Sequence, residues 1–197
     1  MNAPTSGLAH ELAAVIDAYR LHSNIAHLKQ HVQALARSAT PDAVIVAAEP
    51  YRDEPEIVAP LYEVVIESQP DNARALVMLA NAYWLLGLGP DVVAALASRA
   101  ISADPSNRGA WHLWALAESD PRQRTGRWQQ VVARFPGDDL ALANVADNAA
   151  GVAGNEKDYD MLDLAVAAYE SLLERAEHPA QRDALDTALR SLKGWKF

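Results

Sequence analysis

Three prolines set the frame of this chain. Pro70, Pro105 and Pro136 each follow a stretch of helical periodicity, and each sits beside Asp, Asn or Gly. They lie 35 and 31 residues apart. A proline gives no N–H to a continuing helix and clashes with the preceding turn, so each one closes a helix and lets the next begin. Before Pro70, the residues Ile57, Val58, Leu61, Tyr62, Val65 and Ile66 fall on one stripe of 3.6-residue period. The same punctuation and period then recur, which points to repeated helical hairpins.

The rest of the chain reads the same way. From Leu8 to Tyr19, and again from Ile25 to Leu35, apolar residues recur at helical spacing, with a slip near Ser23-Asn24. Either a hairpin or one long helix with a rotated face accounts for that slip. Residues 1–6 read as a loose start, with Ser6 able to cap the first helix. Helices are expected at 41–49, 56–68, 73–86, 91–103, 108–119, 122–134, 139–150 and 159–176. A Gly/Asn-rich loop is expected at 151–158, and a last helix runs from Pro179 to about Lys193.

The segment Asn72 to Pro105 resembles one tetratricopeptide (TPR) repeat. Leu76, Leu79, Ala80 and Tyr83 stand at its large, Leu, small and aromatic positions. Gly87 stands near its turn, and Ala100 and Pro105 at its end, after one extra residue in the turn. Weaker copies precede and follow. Tyr62, Val65 and Pro70 mark the one before. Trp111, Trp114 and Ala115 mark the next, which departs at Glu118, where the family has an aromatic. Leu142, Val145, Ala146, Ala165 and Tyr169 mark the last. The resemblance covers roughly residues 41–178. It implies an all-α fold, a right-handed α-solenoid of TPR-like hairpins. In domain terms there is an N-terminal helical segment at 1–38, repeats at 39–70, 71–105, 106–136 and 137–178, and a capping helix at 179–197.

Such stacked hairpins leave a concave side lined by the first helix of each pair. The resemblance therefore implies a scaffold for a protein or peptide partner. Phasing puts Arg74, Val77, Met78, Asn81, Trp84 and Leu85 on the outward face of one first helix. On the next it puts His112, Leu113 and Leu116 outward, and on the last Ala143, Asn144 and Asp147. Exposed large apolar groups of this kind mark an interaction site, unless residues 7–37 fold over the groove and bury it. Some family members clamp a C-terminal carboxylate with Lys, Arg and Asn. Here Asn81 and Asn144 are present, but of the basic residues only Arg74 is.

Composition narrows the alternatives. The net charge of −9 opposes binding to a phosphate backbone, so no nucleic-acid partner is expected. The chain has no cysteine, which removes thiolate metal sites and a cysteine nucleophile. No apolar run spans a bilayer and no signal peptide is visible, so a cytoplasmic protein without a membrane partner is expected. His27 and His31 share a helix face, but no carboxylate completes a metal site. Asp158, Asp160 and Asp163 lack the Gly and distal Glu of a calcium loop and suit a helix N-terminus instead. Gly-Leu-Gly-Pro at 87–90 lacks a phosphate-loop lysine, and no nucleophile elbow is present. No cofactor, metal or enzymatic activity is expected. Residues 108–134 carry five Arg against two acids, and 138–174 carry nine acids against Lys157. Solvated faces, attraction between neighbouring repeats, and head-to-tail assembly into a homo-oligomer all fit that polarity.

Overall fold

The computed structural model describes residues 3–197, with side chains from Gly7 onward. Among the described residues every regular element is helical: α1 (Ala3–His22), α2 (Ile25–Arg37), α3 (Pro41–Ala48), α4 (Pro55–Ser68), α5 (Ala73–Leu85), α6 (Pro90–Ala103), α7 (Arg108–Leu116), α8 (Pro121–Arg134), α9 (Asp139–Glu156), α10 (Tyr159–Arg175) and α11 (Pro179–Lys193). A single 3₁₀ turn, Glu49–Tyr51, follows α3. Of the expected loose start, residues 1 and 2 lie outside the described residues, and the backbone from residue 3 is already helical. Ser6 therefore lies within α1.

The starts of these helices are chemically specified. Asn24, Thr40, Asn72, Asp120, Asp138 and Asp158 each accept a hydrogen bond from a backbone N–H three residues ahead. Each such cap stabilises its helix by about 1 kcal/mol. Asn24, following Ser23 at φ 53°, also decides between the two readings of the N-terminus. It ends α1 and starts α2, so residues 3–37 are a hairpin.

The chain divides into two compact units, residues 1–113 and 114–197. In the first, α1 packs on α2 and on α3, α2 and α3 on α4, α4 on α5, and α5 on α6. Between the first two hairpins first helix thus meets first helix and second meets second, which is side-by-side stacking, and the third hairpin joins through α4 and α5. Ion pairs repeat the same register. Arg20 meets Glu54 at 2.9 Å and Lys29 meets Glu63 at 3.1 Å, each across 34 residues, and Arg37 meets Glu67 at 3.3 Å. Residues one repeat apart therefore stand opposite each other. The N-terminal hairpin adds one more layer to the stack and does not fold across α5. Fully buried Ala75, Ala80, Ala97 and Ala100 let α5 and α6 approach closely, while Leu76 and Leu79 fill the grooves beside them.

In the second unit α8 packs on α9, α9 on α10, and α10 on α11. Here the charge polarity resolves into contacts. Arg122 bridges Glu156 and Asp158 at 2.6 Å each, and Arg124 donates to Asn148 at 2.7 Å. Arg122 also holds the Asp158 carboxyl below its ordinary range, while Asp158 caps α10.

Two expectations are corrected in this part of the chain. Residues 151–156, expected as loop, are the last part of α9. Their local composition disfavours helix, but Val152 and Ala153 are buried against the α9–α10 core, and that burial outweighs propensity. Gly154 gives room there to the Trp195 ring, which would lie 3.2 Å from a Cβ at that position. Lys157, in the left-handed region at φ 57°, ends α9. Helix α7 is shorter than expected, ending at Leu116. Glu118 sits beyond it, paired with Arg127 at 2.6 Å.

Candidate protein-binding face

The face of α5 is built by spacing alone. Arg74, Met78, Asn81 and Trp84 are three or four residues apart and so lie on one stripe. The opposite stripe, Ala75, Leu76, Leu79 and Ala82, is buried. Arg74 is exposed and pairs with Glu49, next to α3. Val77 and Met78 are half-buried, and Val77 lies against the start of α7, 3.4 Å from where a Cβ on Gly109 would be. Asn81, Trp84 and Leu85 are exposed.

On α7 one residue expected to face outward is buried. Leu113, placed outward by sequence, is buried with 7% of its surface exposed. It follows Ala110 by three residues and shares its buried face. The tryptophans sit elsewhere. Trp111 donates its Nε1–H to the Pro105 carbonyl at 3.0 Å, and Trp114 lies under the Arg127 guanidinium at 4.6 Å. Ala110 and Ala115 of α7 face inward, both fully buried. His112 is half-buried and Leu116 likewise. In the second unit Asn144 is half-buried and donates to the Leu140 carbonyl at 2.9 Å. Asp147 is exposed and accepts from the Tyr169 hydroxyl.

Sequence reading missed one organising group. Glu63 of α4 accepts from Tyr83 of α5 at 2.9 Å, from Gln33 of α2 at 2.7 Å and from Lys29 of α2 at 3.2 Å. One carboxylate thus ties three successive hairpins. Burial pushes the Tyr83 phenol up to about 12, and its hydrogen bond to Glu63 and the Glu63 charge add to the shift. Burial similarly raises Tyr62 and Tyr169. Only the 34-residue offset between Lys29 and Glu63 foreshadows this hub in the sequence. Among the described residues, no group of three or more His, Cys, Asp or Glu is placed to hold a metal ion, and no helix is long and apolar enough to cross a membrane. His27 and His31 stack at 3.8 Å on the exposed side of α2.

Comparison with solved structures then places the fold. A thermophilic TPR protein of Thermus thermophilus, TTC0263, superposes with a TM-score of 0.56 over 94% of this chain and 98% of its own, at 15% identity. The fold is a TPR solenoid. The crystal structure of MamA matches at a TM-score of 0.60 over 82% of this chain and 96% of that one, with 12% identity. PilF of Pseudomonas aeruginosa matches at 0.54 over 96% and 95%, with 15% identity. No family model and no curated protein matches the sequence itself. At these identities the likeness is one of fold. Within the TPR frame, α5 is the first helix of the hairpin that sequence identified best, and α6 is its second.

Proposed function

We propose that this protein is a non-enzymatic interaction scaffold, an adaptor or chaperone-like TPR protein, that holds a peptide segment of a partner protein on the first-helix face of α5. The observation that carries the proposal is the exposure of Asn81, Trp84 and Leu85 on one stripe of a helix whose other side is fully packed. A tryptophan beside a carboxamide joins a large rigid contact surface to a group able to bind an extended backbone. Arg74, Met78 and His112 extend the same proposed surface, and Asn144 and Asp147 are its counterparts on α9. A cytoplasmic setting belongs to the same proposal. Self-assembly through the chain ends is not favoured, because α11 turns Arg182, Asp183, Asp186, Thr187 and Arg190 to solvent. Polar outer faces of this kind cap repeat arrays.

Affinity capture from native lysate tests it, with wild type and Trp84→Ala run side by side. A discrete partner retained by wild type and lost by the variant, at unchanged helical content, is expected. A variant that loses its helical signal would show that Trp84 is core, and equal retention would remove α5 from the interface.

A further inference from the structure

The turn between α5 and α6 is unusual for a surface turn because it is apolar. Trp84 is 38% exposed, Leu85 58%, Leu86 40%, Leu88 51% and Val92 44%. A cluster of large apolar side chains on the surface is the mark of a contact site.

The turn is also rigid. Leu88 N–H donates to the Tyr83 carbonyl at 3.0 Å and Gly87 N–H to the Trp84 carbonyl at 3.1 Å. That is a Schellman closure, with Gly87 at φ 69° supplying the left-handed residue. Gly89 at φ 101° and Pro90 at the first position of α6 fix the exit. In such closures the residue in the place of Leu88 commonly packs back on the helix. Here it projects half-exposed, so the ridge is pre-formed and loses little entropy on contact.

The surroundings of the ridge are acidic. The Tyr83–Glu63 hydrogen bond fixes the antiparallel register of α4 and α5, so the start of α4 runs beside the end of α5. Glu56, seven residues before Glu63 and so on the same stripe of α4, comes to that edge, and Asp91 lies in the first turn of α6. No Lys or Arg occurs between Arg74 and Arg99. The nearest cations on the α4 side are engaged, Arg52 with Asp53 and Arg20 with Glu54.

Resting on the scaffold reading above, we infer that the Trp84–Val92 ridge docks a partner segment in which basic residues flank large apolar ones, a cationic amphipathic helix. Apolar side chains of the segment cover Leu85 and Leu88 while its cations meet Glu56 and Asp91. Membrane insertion of the same turn is the poorer match, since interfacial segments carry Lys and Arg toward anionic headgroups and this rim carries carboxylates.

The test uses the full chain and a fluorescein-labelled Leu/Lys amphipathic peptide of about four helical turns, with its Leu/Glu counterpart, read by anisotropy. The Lys peptide is expected to bind at least tenfold tighter than the Glu peptide. Leu85→Ser with Leu88→Ser weakens it tenfold or more at unchanged circular dichroism. Glu56→Gln with Asp91→Asn weakens it severalfold and flattens its salt dependence. Asp160→Asn with Asp163→Asn, exposed acids of α10, leaves it unchanged. Equal loss in the α10 pair, or indifference to the two Leu→Ser changes, would overturn the inference. So would partition of the protein into phosphatidylcholine vesicles, or a dimer that Leu→Ser dissolves. If Trp84→Ala abolishes lysate capture while the Lys peptide ignores Leu88 and Asp91, the scaffold reading stands and this one falls.

Discussion

Replacing Glu63 probes the stacking of hairpins at one atom pair. Its side chain is 20% exposed and accepts from α2 and α5 at once. The Lys29 pair contributes little, because Lys29 is 54% exposed and solvent screens it. The hydrogen bonds from Tyr83 and Gln33 go to a charged, mostly buried acceptor, each contributing about 1 kcal/mol after discounting for partial exposure. Glu63→Ala should therefore lower stability by about 2 kcal/mol, and Glu63→Gln, which keeps an acceptor, by about 1 kcal/mol. Urea unfolding followed by circular dichroism measures this, with the midpoint falling and the slope unchanged. A cycle of Glu63→Ala with Tyr83→Phe should return a coupling of about 1 kcal/mol. Additive effects, with no coupling, would refute the argument that this carboxylate joins α4 to α5.

Three further outcomes follow from the same structure. Tyr83 has a folded pKa of about 12, above its ordinary value near 10, so its contribution is fully present below pH 10 and is lost as pH rises toward 12. Absorbance titration should show Tyr62, Tyr83 and Tyr169 ionising late, and Glu63→Gln should move Tyr83 part of the way back, burial still holding the remainder. Gly89→Ala, at φ 101°, should cost more than Gly87→Ala, at φ 69°, with the latter near ~1 kcal/mol, because a Cβ at either position meets nothing and only backbone strain separates them. Thermal melts rank the two. Leu79→Ala should cost roughly 2–5 kcal/mol, since Leu79 is buried between α5 and its neighbours, while the exposed Leu85→Ala should stay within about 0.5 kcal/mol.

Local signals made most helices legible. Proline at the first helical position, an Asn, Asp or Thr cap and a 3.6-residue apolar stripe act over a few residues, and they located α3 to α6, α8, α10 and α11 to within a few residues. What sequence missed was set by partners distant along the chain. Gly151, Gly154 and Asn155 look like loop until Trp195 is seen against Gly154. On α7 the repeat pattern turns Leu113 outward, yet it is buried, while Trp111 finds the Pro105 carbonyl and Trp114 the Arg127 guanidinium. Glu63 gave no local sign, since its partners lie 20, 30 and 34 residues away. The apolar ridge was visible as letters, with Trp84, Leu85, Leu86 and Leu88 running into a Gly-Pro turn. Helical phasing turned Trp84 and Leu85 outward, but Leu86 and Leu88 read only as a turn, because turn residues are usually weighed for conformation and not for surface.

The central claim is that hairpins stack side by side and leave the α5 face open. The chain contains no cysteine, so Asn81→Cys creates a single thiol on that face. Its rate of reaction with a maleimide, measured in the native protein, reports the openness of the face directly. The stacked arrangement predicts a rate within severalfold of a free cysteine peptide. Protection by two orders of magnitude would mean that another part of the chain covers α5, and would contradict the account.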